Sequence, residues 1–303
     1  MKIGIVGLGS IGSRHAANAA KLGHEVIVYD PQGQCDVKSE RDIYDEADAV
    51  VIATPTYCHE AGLRACIERG KHALIEKPIS TSLGRLPALL DRAREKDLVV
   101  MMGNNLRFHP SVKKAKEWLG ERRIGQVLWA HFTCAQANSK ALYLSDGVIL
   151  NSGAHEVDLA LFLFGPGRVA AASARLTRSD EDLGGDDIAD FVIEHASGVR
   201  SSFHLDFVTP IATRDFRIVG DDGSLFCDLR ERNLIVREID GILPDVSYMT
   251  QYIGLGSWDT DYLDEMSAFI ARIEGLITPP GADGFDGLEA LRVLLDVRKK
   301  VGL

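Results

Sequence analysis

With 303 residues the chain exceeds the usual size of one compact core, so two domains are expected. A hydrophobic share of 46 % beside 26 % charged residues is ordinary for a globular protein and excludes a disordered or fibrous chain. A net charge of −10 argues against nonspecific nucleic-acid binding, which needs a basic surface, yet it leaves room for anionic ligands, because a helix N-terminus can hold a phosphate.

The first hundred or so residues alternate strand and helix. Residues 3–6 read as a buried strand, 11–22 as a helix, 25–29 as a strand, and 48–53 as a strand ended by Thr54-Pro55. A helix over 59–69 stops at Gly70; 72–75 is a strand, 83–96 a helix and 98–102 a strand. Apolar strands alternating with amphipathic helices imply a parallel sheet covered on both faces.

The pattern changes after about residue 120. A long strand over 126–136 is followed by a helix over 148–164 that ends at Gly165-Pro166-Gly167. Strand-like runs then cover 169–176, 188–195, 199–208, 215–219, 224–229 and 234–239, with turn signals at Ser197-Gly198 and Asp222-Gly223. Such spacing implies an antiparallel or mixed sheet. Helices over 260–274 and 287–300 close the chain. The fold class is therefore α/β, with domains expected at 1–120 and 121–303 and the last helix free to pack back on the first.

Five scattered cysteines with no Cys-x-x-Cys pair suit reduced thiols, the N-terminus lacks the h-region of a signal peptide, and no stretch approaches the roughly 20 apolar residues of a membrane helix. The cytoplasm is the expected compartment, and neither a membrane nor nucleic acid is an expected partner. Lys113, Lys114, Lys116, Arg122 and Arg123 are diluted by Glu117 and Glu121 and read as a solvated helix face.

Gly7-Leu8-Gly9-Ser10-Ile11-Gly12 is a G-x-G-x-x-G that directly follows a strand and opens a helix. Gly7 permits the tight turn, Gly9 lets the backbone approach a pyrophosphate, and Gly12 lets helix and strand pack closely. Ser10 and Ile11 open the helix, whose N–H groups and dipole face the phosphates. Asp30 ends the second strand, where the fingerprint places an acid on the adenosine ribose. An acid repels a 2′-phosphate and no Arg or Lys follows closely, so NAD is favoured, with NADP left open.

Two places carry candidate chemistry. Glu76-Lys77-Pro78 follows a strand, which puts Lys77 at the carboxyl edge of the sheet, where open α/β sheets bind ligands. A lysine there can hydrogen-bond a substrate oxygen and, if desolvated, shuttle protons; it can equally be a surface lysine before a turn. In Asn151-Ser-Gly-Ala-His155-Glu-Val-Asp158, a helix sets Asn151 and His155 one turn apart on one face, with Asp158 near them. His155 can take an alcohol proton as hydride leaves, or it can be a helix histidine satisfied by Asn151 or the backbone. His155-Glu156 and His59-Glu60 lack the second histidine of H-E-x-x-H, so no metal is expected.

Together these residues resemble the Gfo/Idh/MocA family of oxidoreductases. The resemblance runs along nearly the whole chain, through the stretches 7–15, 53–59, 70–78, 105–110 and 153–158. Glu-Lys-Pro with a downstream Gly-x-His-x-x-Asp is far more diagnostic than the glycines. The resemblance implies a Rossmann domain, then an α/β domain with a large, mostly antiparallel sheet whose open face joins homodimers or homotetramers, and an active site between the domains. It makes Lys77 and His155 catalytic, sets Thr54, Pro55, His59 and Glu76 along the cofactor, and puts Arg107 near the cleft. Many members carry aspartate where this chain has Asn151, which can orient a hydroxyl but cannot relay a proton.

The expected function is hydride transfer between NAD(P) and a ring-hydroxyl or keto carbon of a sugar, amino sugar, sugar nucleotide or cyclitol, with Asn151, Arg107 and Asp158 on the substrate side. A non-catalytic dinucleotide sensor and a glycosidase that oxidises transiently are the rival readings.

Overall fold

The computed structural model describes residues 1–33, 35–137, 141–175, 185–240, 247–254, 259–276 and 281–303. Leu176, the end of one expected strand, lies outside them. The chain forms two compact units, Met1–Phe108 with Asp259–Leu291, and His109–Trp258 with Arg292–Leu303.

The first unit is built on strands β1 (Lys2–Val6), β2 (Glu25–Tyr29), β3 (Ala49–Ile52), β4 (His72–Glu76) and β5 (Val100–Gly103), all parallel in the order β2-β1-β3-β4-β5. All four residues of β3 have no exposed surface, which is why its sequence is a continuous apolar run rather than an alternation. The connecting helices are α1 (Ser10–Lys21), α2 (Glu40–Glu46), α3 (His59–Glu68) and α4 (Leu86–Glu95). Helix α2 was not expected. It is seven residues long and mostly charged, and its one local signal is Ser39, whose N–H donates to Asp42 at 2.9 Å.

Helix α8 (Asp259–Ile273), expected within a second domain over 121–303, clusters with this unit. Its Met266, Phe269 and Ile270 pack into one core with Ile3, Ile5, Leu74 and Met101. Burial of each such side chain is worth about 1.5–3 kcal/mol, which is what holds a sequence-distant helix here. The start of α9 (Gly284–Val301) joins the same unit. The Met102 N–H donates to Ala282 O just before α9, and Gly287 leaves room for Met102, whose sulfur lies 2.6 Å from where a Cβ would stand.

The second unit opens with α5 (Pro110–Gly120) and carries β6 (Val127–Ala135), β7 (Gly167–Arg175), β8 (Ile188–His195), β9 (Arg200–Asp206), β10 (Thr213–Gly220), β11 (Gly223–Asp228), β12 (Asn233–Asp240) and β13 (Ser247–Gly254). They form one sheet ordered β13-β12-β11-β10-β6-β9-β8-β7, antiparallel except for the central β6–β9 pair. Strand β13 was not expected. Phe132, Phe191, Phe203 and Phe216 stack across neighbouring strands, and Phe164 of α7 (Gly153–Phe164) meets Phe132 edge-on.

Helix α6 (Ala141–Asn151) is broken at Gly147 and leads into α7. The span Asp146–Phe164 is, by length and composition alone, apolar enough to cross a membrane, so the sequence reading that no stretch comes near such a helix is corrected. Most of that span is buried inside the fold, which accounts for its apolar character.

Candidate active site

The glycine turn joins β1 to α1. Gly7 has φ +92°, a region L side chains avoid. A Cβ on Gly12 would overlap the Gly7 carbonyl oxygen, so helix and turn touch backbone to backbone. A Cβ on Gly9 would meet no described atom within 4 Å, and no side chain caps the helix that Ser10 and Ile11 open. This is an open cradle at a positive helix end. Asp30, just past β2, accepts from the Leu8 N–H at 2.6 Å and the Gln32 N–H at 2.8 Å, which ties its carboxylate to the glycine turn. A carboxylate has about four acceptor positions, so two remain for ribose hydroxyls. Thr54, after β3, has a buried Oγ1 with no hydrogen-bond partner, an orphan a bound molecule can satisfy. These residues fit a dinucleotide.

His59 and Glu76 are turned inward. The His59 ring is buried, with Nε2 2.8 Å from Thr54 O and Nδ1 2.8 Å from Pro78 O. It braces the loop of Thr54 and Pro55 against the loop after β4. Glu76 ends β4, and its Oε1 accepts from His15 Nε2 at 2.8 Å. Lys77 follows at the carboxyl edge of the sheet, and its peptide bond to Pro78 is cis. Arg107 is buried and ion-paired with Asp286 at 3.2 Å.

In the second unit, Asn151 ends α6 and His155 stands in the first turn of α7; both are partly exposed, whereas Asp158 is buried. The His155 N–H donates to Ser152 O, so helical geometry runs through the junction and keeps Asn151 and His155 one turn apart. Two contacts fix this helix. Buried Glu156 accepts from Arg214 Nε of β10 at 2.7 Å, and Gly153 lets Leu294 approach to 2.7 Å of where a Cβ would stand. Lys77 and His155 lie on different units.

The chain's first 104 residues match the family model described as the oxidoreductase family, NAD-binding Rossmann fold, and residues 112–226 match the GFO/IDH/MocA C-terminal domain. An inositol 2-dehydrogenase of Saccharopolyspora erythraea is 30 % identical over 74 % of this chain and 72 % of its own length. The chain belongs to the GFO/IDH/MocA family. It is an NAD-binding oxidoreductase. A myo-inositol 2-dehydrogenase of Thermotoga maritima, another relative, is 26 % identical over 96 % of this chain and 93 % of its own. Levoglucosan dehydrogenase, solved with NADH and levoglucosan, shares the fold at TM-score 0.88 and 21 % identity, covering 100 % of this chain and 97 % of that one.

Sequence reasoning gave no role to His15, Gly103 or Glu265. His15 stands one turn past Gly12 and is fully buried. Gly103 pairs with Glu76 across β4 and β5, and a Cβ there would lie 2.8 Å from Glu76 Oε1. Glu265 of α8 is fully buried. It, His15 and Glu76 each offer a ligand atom within 4.8 Å of the others, the one group of this kind among the described residues. Only His15 had a signal in sequence, as a polar residue on the face of α1 that carries Gly12 and Ala19 into the core.

Proposed function

We propose that this family member transfers a hydride reversibly between NAD and the CH–OH carbon of a ring hydroxyl on a sugar, amino sugar, sugar nucleotide or cyclitol. Bound NAD supplies the hydride acceptor, and NADH the donor. The Lys77 ammonium donates a hydrogen bond to the reacting oxygen and favours the charge that develops on it. The His155 imidazole takes the hydroxyl proton in oxidation and returns it in reduction. Asn151, with both donor and acceptor atoms, orients a neighbouring hydroxyl, and Arg107 and Asp158 complete the polar surface that a polyol requires.

The observation that carries this reading is the His15–Glu76 hydrogen bond, because it ties the residue before Lys77 to the helix that opens the dinucleotide cradle. The relatives support the substrate class, being named for inositols. We further assign self-association to the open sheet of the second unit, where Leu128 and Trp129 of β6 stand exposed; a monomer by light scattering at micromolar concentration removes that assignment. None of the five cysteines is in a disulfide, which fits the cytoplasm; recovery with an oxidising compartment on cell fractionation counts against it.

The test is Lys77→Ala, assayed by NADH absorbance against sugars, uronates, nucleotide sugars and inositols, with NADP in parallel. Turnover falls by about 10²–10⁴ while NADH affinity stays near wild type. Wild-type turnover in the variant removes Lys77 from the mechanism. NADH binding with no turnover of any substrate by the wild type speaks for a sensor instead.

A further inference from the structure

We infer that His15 is a positioning residue for Lys77. It locks Glu76, and with it the lysine that follows, to the dinucleotide helix. The inference rests on Lys77 acting as proposed above.

His15 has no exposed surface, and a buried imidazole is costly unless a polar partner meets it. The partner is Glu76, whose Oε1 lies 2.8 Å from His15 Nε2, with the imidazole N–H as donor and the carboxyl oxygen as acceptor. Glu76 is then held from three directions. His15 donates to one oxygen. The Lys77 N–H faces the other oxygen at 3.3 Å. The missing Cβ of Gly103 leaves the space the carboxylate fills. The His15 ring also meets Tyr262 of α8 edge-on, with ring centres 6.0 Å apart at 77°. Turning Glu76 away would break its hydrogen bond to His15, so that bond favours the observed position of the backbone entering Lys77. A displacement of about 1 Å at a catalytic group costs about a hundredfold in rate.

His15, Glu76 and Glu265 also have the composition of a divalent-cation site. The direct hydrogen bond between two of them favours a proton there, and the experiment separates the two.

The experiment uses the full-length protein with His15→Leu, His15→Gln and Gly103→Ala. Turnover is counted per NADH-binding site, so misfolded molecules do not enter. His15→Leu lowers kcat by about tenfold or more with the Kd for NADH near wild type. His15→Gln, which keeps an N–H donor of similar reach, recovers most of that loss. A role in stability alone would instead lower Tm and leave turnover per site unchanged. Gly103→Ala crowds the same carboxylate from β5 and gives the same kcat defect, which keeps the inference testable if His15→Leu does not fold. Wild-type turnover per site in His15→Leu or Gly103→Ala overturns it, as does a Gln variant no better than Leu, or stoichiometric metal in the purified protein. If Lys77→Ala is inactive while His15→Leu is normal, this inference alone fails; if Lys77→Ala is active, the reading beneath it fails.

Discussion

Two helix beginnings in this protein face the same electrostatic problem and meet it in opposite ways. Every helix starts with backbone N–H groups that have no intrahelical partner and a partial positive charge. At α1 the chain supplies no cap: Gly9 is open on its outer side. After the break at Gly147 the helix that carries Asn151 and His155 starts again, and there the chain supplies its own acceptor. The Val148 N–H donates to Asp186 O at 2.8 Å and the Ile149 N–H to Asp186 Oδ2 at 2.7 Å. Gly147, at φ +74°, leaves the room Asp186 Oδ1 occupies. The contrast teaches that a helix N-terminus is an anion site only where the fold withholds an internal anion.

That contrast can be broken glycine by glycine. Gly12→Ala has the largest effect, because the added Cβ strikes the Gly7 carbonyl, which is backbone and cannot swing aside. It costs about 1–3 kcal/mol of stability and removes NADH binding; thermal unfolding with and without NADH measures both. Gly147→Ala comes next. Its backbone region is almost closed to other residues and its Cβ meets Asp186, so stability falls by about 1–3 kcal/mol while NADH affinity is kept. An NADH affinity that falls with it would mean the two helix starts are not independent. Gly9→Ala reverses the pattern. Its φ of −64° suits alanine and the Cβ meets nothing, so Tm holds while NADH binding weakens by about tenfold, or about 1.4 kcal/mol. Unchanged affinity would mean the diphosphate does not pass over Gly9.

The open helix start was legible in sequence and the closed one was not, for a physical reason. Three glycines, a strand before them and Asp30 after them lie within one short segment, so the cradle is a local pattern. Asp186 lies 37 positions from the N–H it caps, His15 lies 61 from Glu76, and Arg107 lies 179 from Asp286. No local signal announces such pairs. The same limit explains α8. Its amphipathic period was readable, but the period does not say which core its apolar face enters. Strand β13 and helix α2 escaped because one is a run without clear alternation and the other about two turns of mostly charged residues. Lys77 could be proposed because it follows a strand end that sequence does mark, and His155 because helical spacing sets it one turn from Asn151 on one face.

The smallest effect expected is the one that tests whether Asp186 acts as a charge or only as an acceptor. Burial pushes its carboxyl above the usual carboxylate range, against hydrogen bonds from the backbone and the pull of Arg298. A raised acid binds its proton more tightly in the folded protein than in the unfolded chain. Stability from this group is therefore fullest below the unfolded value and declines as pH rises through the folded one. Asp186→Asn keeps an oxygen for the Ile149 N–H and cannot ionise. Its Tm should improve relative to wild type as pH rises from the carboxylate range toward neutrality. A Tm difference that stays flat over that range would mean the charge costs the fold nothing. The helix start at Val148 would then resemble the one at Ser10 in its liking for an anion, and would differ from it only in having one built in.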